Sequence, residues 1–397
     1  MNPRHLNEDS RWLLAILAGL VALGPLSIDM YLPAMPAMKL ALNTDIAGMQ
    51  LTISAYLIGF ALFHLLCGPL ADRFGRKPVL LGGTLMFIGA CIGCSLATTI
   101  EELQAWRFAQ GVGACVGPTL SRTIARDIFG PSRVAKVFSL IAMLMALAPA
   151  VAPTLGGVML LVLPWPSVFV FLAVYGCAIV ILTSRYLPES LAEKQSLRPA
   201  AILKNYGQLF ADPVYMTVTV ASGMTYAAMI SYLSSSSFIY IDMLGVPVQY
   251  FGLIFLTTVL GYMGGSALSA RLSSAHNSES LMLIGSVIAV IATLAMWVAT
   301  AFFPTSLYAI MLPMTFYTTA LGIVLPHAMT IALRPFAHIA GTASAFLGFI
   351  QMSLSAGASA AVGYFLTTTP QPMVLTMVFI SITALFLASR TYRVVSR

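Results

Sequence analysis

Charge is what this sequence lacks. Of 397 residues only 8% are Asp, Glu, Lys or Arg, while 59% are hydrophobic. Soluble domains carry roughly a quarter charged residues, so this chain has too little polar surface to cover a core in water. Long polar stretches are also missing. The longest runs from Pro188 to Pro213, and no soluble domain fits between any two apolar runs. No Gly-x-x-x-x-Gly-Lys-Ser/Thr loop is present, which excludes an ATP-driven pump within this chain. Cysteine is scarce: Cys67, Cys91, Cys94, Cys115 and Cys177 all fall inside apolar runs. An odd number so placed reads as small hydrophobes and not as a disulfide framework. Cys91 and Cys94 form a Cys-x-x-Cys far in sequence from charged residues and His, which argues against redox or metal chemistry. No Ser/His/Asp, metal-ligand or paired-carboxylate pattern stands out, so the chain does not read as an enzyme.

What is present is a series of apolar runs of about 20 residues, the length that crosses roughly 30 Å of hydrocarbon as a helix. Twelve spans are predicted, near 13–33, 48–68, 79–97, 103–123, 136–162, 166–186, 214–240, 249–270, 280–301, 305–329, 340–364 and 373–392. The first is too long for a signal-peptide core of roughly 7–15 residues, and further spans follow it. The polar stretch divides the chain into a six-helix bundle over 1–187, a linker over 188–213 and a second six-helix bundle over 214–397. Twelve spans put both termini on one side, together with eighteen of the twenty Lys and Arg. Only Lys39 falls on the other side, and Arg107 lies inside the fourth span. The positive-inside rule makes both termini cytoplasmic. The net charge of +7 therefore comes from bases scattered in short loops, which does not describe a nucleic-acid surface.

Five segments carry candidate chemistry. Between spans two and three, Gly68, Asp72, Arg73, Gly75, Arg76 and Lys77 read as a tight glycine turn with one acid and three bases. The corresponding loop of the second half, Gly264 to His276, keeps Gly265 and Arg271 but has no acid. In span four, Arg107, Gly111, Ala114 and Pro118 share one helix face, and the small residues allow close approach of a neighbour. In span five, Pro149, Pro153, Gly156 and Gly157 would kink and tightly pack a helix in any fold. Asp29, in the run Pro25 to Pro36 with Tyr31, is an acid inside a span; such a group marks a pathway or proton relay unless it only meets headgroups at the membrane edge.

Span seven carries Tyr226, Ser231, Tyr232, Ser234, Ser235, Ser236, Ser237 and Tyr240. These hydroxyls either meet a polar substrate or hold helices together. Gln110 and Gln351 are further cavity candidates, and His64 and His327 read as packing residues.

The Gly68–Lys77 segment closely resembles the signature loop of the major facilitator superfamily, and the Arg107 and Pro149–Gly157 segments resemble that family's intramembrane Arg and antiporter motifs. The Pro25–Pro36 run, Arg126–Phe129 and His338–Ser344 resemble the bicyclomycin-resistance branch of drug:proton antiporters. The resemblance implies an all-α membrane fold of two pseudo-symmetric six-helix bundles in a bacterial inner membrane. It implies proton-coupled efflux of small amphiphilic compounds by a monomer, with no cofactor beyond the proton gradient, no ATP and no nucleic acid. A metabolite carrier on the same scaffold, or a passive facilitator, stays open.

By the same resemblance Asp72 sits against the start of span eleven near His338 to Gly341, Arg76 pairs with Asp127, and Asp29 is the functional acid. Counting 1.5 Å per residue puts Asp29 and Arg107 at one depth, roughly 6 Å below the edge opposite the termini, and so predicts that they pair. The expected substrate cavity is lined by Tyr31, Gln110, Tyr232, Ser235 and Gln351.

Overall fold

The computed structural model describes residues 11–191 and 199–395. Arg4, Glu193, Lys194, Arg198, Arg397 and the side chains of Arg11, Arg133 and Lys136 lie outside the described residues. The α-helices run α1 (Arg11–Asp29), α2 (Met35–Ala41), α3 (Ile46–Phe74), α4 (Arg76–Leu96), α5 (Ile100–Ala114), α6 (Val116–Met159) and α7 (Pro166–Tyr186) in the first half. α8 (Pro199–Ala211) lies in the linker. The second half holds α9 (Pro213–Ser237), α10 (Phe251–Leu272), α11 (Ser278–Phe302), α12 (Tyr308–Leu333), α13 (Ala340–Phe365) and α14 (Gln371–Val395).

By length and apolarity alone, eight stretches among the described residues can cross a membrane. One of them, Tyr308–Phe365, contains both α12 and α13. The remaining spans fail that measure for visible reasons. α5 is short and carries Glu101, Glu102 and Arg107, and α9 ends in a run of serines. α6 holds the end of the fourth span and most of the fifth in one continuously helical segment, where a loop was expected near 124–135. It cannot be straight. Gly117 packs on Leu20 and Gly156 on Met30, points about ten residues, or 15 Å, apart along the first span, whereas a straight helix would separate them by roughly 58 Å. The chain therefore reverses direction inside α6.

Three other boundaries differ from expectation. The first span stops at Asp29, and a single 3₁₀ turn at Leu32–Ala34, opened by Pro33, leads into α2. Gly68, Asp72 and Arg73 belong to α3, so the turn between spans two and three is Gly75 alone, at φ 108°, a conformation that suits glycine. α9 passes into a π-helical turn over Phe238–Met243. At the opposite ends, Asp45, Thr99, Asp212 and Asn277 cap α3, α5, α9 and α11 through side-chain oxygens, as short polar residues do at N-termini.

The start of α1 and the end of α14 mark the terminal face; the opposite side is the far face. The bundles meet along two seams, α3 against α13 and α6 against α10. Glycines make the approach possible: Gly252 lies against the backbone of Thr154, Gly363 against Gln50, and Gly348 against the His64 ring.

Candidate functional site

At the far face the bundles are joined by buried polar bonds. Gln50 of α3 donates to the Ser235 hydroxyl of α9 at 3.1 Å and accepts from the Ser359 hydroxyl of α13 at 3.0 Å. Ser54, one helical turn further, donates to the Ala356 carbonyl at 2.9 Å. At the rim Lys39, just before α3, pairs with Asp242 of the π-helical turn at 2.6 Å. The proline and glycine segment of α6 belongs to the same closure. Gly156 lies under the carbonyl of Met30 and the ring of Pro33, Gly157 lies under the carbonyl of Val248, and Pro153 is buried. A side chain at either glycine would strike backbone, so Gly157 lets the two bundles come to contact distance and Gly156 lets α6 pack on the end of the first span; Pro149 is half-buried on the same helix.

Arg107 lies level with the end of α1, but its partner differs from the one expected. Its guanidinium donates to the Ser27 carbonyl at 3.0 Å and to Gln110 Oε1 at 2.5 Å. It sits 4.4 Å and 4.5 Å from the ring centroids of Tyr31 and Tyr56. This is a fully buried cation caged by two aromatic faces. Ser27 and Tyr31 are four residues apart and face one way, whereas Asp29 lies between them, about 200° from each around the axis. Among the described residues no hydrogen bond or ion pair reaches the Asp29 carboxylate. It ends α1, is 4% exposed, and lies within electrostatic range of Tyr226 on α9, in the other bundle. The predicted Asp29–Arg107 pair is therefore absent.

The other cavity candidates are distributed by the same packing. Tyr31 is bound to Thr52 at 2.5 Å and Gln110 to Cys91 at 3.0 Å, both fully buried. Tyr232 bonds Tyr240 at 3.2 Å, and Ser235 is part of the far-face seam. Ser222, Ser231, Ser234, Ser235 and Ser236 of α9 bond carbonyls of their own helix, for example Ser231 to Ala227 at 3.0 Å, whereas the Ser237 hydroxyl is buried without a partner. Tyr31, Gln110, Tyr232 and Ser235 thus face protein and not an open cavity in this conformation. Gln351 is half-buried, at 3.5 Å from Ser222.

At the terminal face, Arg76 pairs with Asp72 at 2.5 Å and with Asp127 at 3.5 Å. The Arg76–Asp127 pair was expected; a contact of Asp72 with residues 338–341 was, too, but among the described residues no bond joins them. Lys77 of the same segment and Glu189, which was not singled out from the sequence, complete the cluster. The Glu189 carboxylate accepts from the backbone N–H of Arg76 at 2.9 Å and of Lys77 at 3.1 Å, capping α4. Lys77 reaches the other way and donates to the carbonyls of Ser184 and Leu187, at 2.8 and 2.7 Å, capping α7. Acid at one helix N-terminus and base at a neighbouring C-terminus both suit the helix dipoles. Arg73 is exposed, and nothing crowds Gly68.

The second bundle has a counterpart in which the charges are exchanged. Glu279, at the start of α11, is buried and pairs with Arg334, just beyond α12, at 2.9 Å. His327 of α12 bonds Ser269 of α10 at 2.9 Å and Ser278 of α11 at 3.2 Å. It is a cross-link of three helices, beyond the packing role read from the sequence. The missing acid of the Gly264–His276 loop lies three residues past it, inside the helix.

Comparison with known proteins agrees with this architecture. The family model described as Major Facilitator Superfamily matches residues 17–360. The chain is 34% identical over 365 residues to an uncharacterised MFS-type transporter, YdgK, of Bacillus subtilis, covering 90% of each. It is 31% identical to multidrug resistance protein MdtL of Shigella flexneri, covering 86% of each, and 26% identical to a bicyclomycin resistance protein homolog of Haemophilus influenzae, covering 97% of this chain and 98% of that one. Among solved structures, a D-xylose-proton symporter superposes with a TM-score of 0.72 at 15% identity, over 94% of this chain and 96% of that one. A bacterial homolog of the lysosomal transporter Spinster, in an inward-facing and occupied conformation, gives 0.74 at 17%, over 96% and 97%. At these identities the structures speak for the fold alone. With its helices in two bundles, the signature cluster at Arg76 and a family match over most of its length, the chain belongs to the major facilitator superfamily and is a multi-pass membrane transporter of small molecules, not an enzyme.

Proposed function

We propose that this transporter is a proton-coupled exporter of small amphiphilic compounds, in the bicyclomycin-resistance branch of the drug:proton antiporters. Its terminal face is cytoplasmic, its membrane is the bacterial cytoplasmic membrane, and it works as a monomer by alternating access. The observation that carries the reading is Asp29: a buried acid within a span, without a cation partner, facing the other bundle. Its position at the end of α1 adds the carbonyl end of the helix dipole, which also opposes negative charge. Binding a proton removes both costs, and so does binding a cationic or polar substrate group at the same carboxylate. Competition between the two gives exchange. The identity of the relatives with resistance proteins supports the direction of transport.

Arg107 has a different role in this scheme. Held by Ser27, Gln110, Tyr31 and Tyr56, it fixes the end of the first span, and so the position of Asp29, without exchanging protons. The far-face bonds of Gln50 and Ser54, with the Lys39–Asp242 pair, correspond to the inward-facing stage, in which the route to the outside is closed.

The test uses inverted membrane vesicles with an imposed pH gradient and a fluorescent lipophilic cation. The expected result is gradient-driven uptake that an uncoupler collapses and that Asp29→Asn abolishes at normal expression. Uncoupler-insensitive equilibration would establish a passive facilitator instead, and full gradient-driven transport by the Asn variant would remove Asp29 from the coupling step.

A further inference from the structure

The linker was expected to be a polar stretch in water. The structure shows a helix in it, α8, with three distinct faces. Tyr206 and Leu209 turn toward the protein. The Tyr206 hydroxyl donates to the Leu65 carbonyl of α3 at 2.9 Å, and its ring packs 5.6 Å from that of Phe346 on α13. α8 thereby touches both bundles at the α3–α13 seam. A second edge carries Leu203 and Phe210. Seven residues apart, they project within about 20° of each other, and they are 70% and 68% exposed. Lys204 and Gln208 form the third face, about 100–140° further round, and both are exposed.

Position decides what covers the apolar edge. Only Asp212 separates the end of α8 from Pro213, where α9 begins, and Asp212 is itself fixed as the N-cap of α9 through its bond from Tyr215 N–H at 2.7 Å. Tyr215 in turn stacks on Phe346, at 6.2 Å and 4° between planes. α8 is thus held beside the point where a membrane span leaves the terminal face, with its apolar edge exposed there. A helix that buries a Leu–Phe edge in the acyl boundary and keeps a basic residue at headgroup level has the layout of an interfacial helix.

We propose that α8 docks on the leaflet at the terminal face, with Leu203 and Phe210 among the upper acyl carbons and Lys204 on the phosphate of an anionic lipid. Because Tyr206 bridges the two bundles, the lipid surface then holds the seam at this face. A photo-crosslinking phenylalanine analogue placed singly at Leu203, Phe210 and Gln208 tests this in the full-length protein, reconstituted in vesicles of phosphatidylcholine with 30% phosphatidylglycerol and checked for normal thermal stability. Mass spectrometry is expected to find phospholipid adducts at 203 and 210 and few at 208. Lys204→Gln is expected to lower the phosphatidylglycerol share of the adducts at 203 by about five-fold, the size expected of one base near an anionic surface. Equal lipid capture at all three positions, adducts to a second copy of the chain at 203 or 210, or an unchanged lipid share in the Gln variant would each overturn the proposal.

Discussion

The two bundles tie their terminal ends with opposite signs. In the first, a cation at the start of the third span, Arg76, is held by an acid just past the end of the fourth, Asp127, and by Asp72 on the second. In the second, an acid at the start of the ninth span, Glu279, is held by a cation past the end of the tenth, Arg334, while His327 and two serines supply the third helix. What the halves share is a joint between equivalent helices and not a string of residues. The first joint also receives Glu189 and Lys77, which lock α4 to α7. The second has no such addition among the described residues, and its Arg334 is more exposed than Arg76.

This difference predicts an order of effects. Arg76→Ala leaves two carboxylates and an otherwise closed pocket without their cation, and is expected to destabilise by about 2 kcal/mol, less than a wholly buried pair because Asp72 reaches water. The apparent melting temperature of purified protein in one detergent measures it, and a smaller drop than for any change in the second joint would break the comparison. Glu279→Arg is expected to come next, since it sets two cations together. Adding Arg334→Glu should recover most of the loss, with a coupling of about 1 kcal/mol in the double-mutant cycle, because only opposition of sign matters there. Failure of the exchange would mean that the orientation of the pair is fixed by something beyond charge. His327→Ala removes two hydrogen bonds and is expected to cost about 1 kcal/mol, seen again in melting. Lys77→Met should be the mildest, about 0.5 kcal/mol, since the charge and the two hydrogen bonds it removes at the end of α7 lie where water can replace them, while the Glu189 cap stays. An effect as large as that of Arg76→Ala would shift the centre of the first joint to α7.

The same contrast explains what could be seen in the sequence. Arg76 lies in a compact run of Gly, Asp and bases, so its joint was legible as a motif. Glu279 and Arg334 are 55 positions apart and carry the reverse charges, and no local pattern announces them. Span lengths followed from apolarity, and so did a reversal between spans four and five, but its form did not, because the chain turns inside α6 without leaving helical hydrogen bonding. That Arg107 lies level with the end of α1 was legible from residue counts. Its partner was not, because depth says nothing about rotation, and rotation turns Asp29 away from Ser27 and Tyr31. Gln50 was overlooked entirely. A single amide in an apolar run carries no signal until its two serine partners, from α9 and α13, are brought beside it.

That amide has a kinetic consequence. Gln50 holds Ser235 with its nitrogen and Ser359 with its oxygen, and Ser54 holds Ala356 one turn away, all of them buried. Breaking one of these bonds while the seam stays dry strands a polar group at about 1–3 kcal/mol. A partly opened seam is therefore less favourable than either the closed one or one fully wetted, so the bonds part together. Separation becomes a single activated event with few intermediate stops, and a carrier that switches this way spends little time ajar, when protons could slip through without moving any cargo.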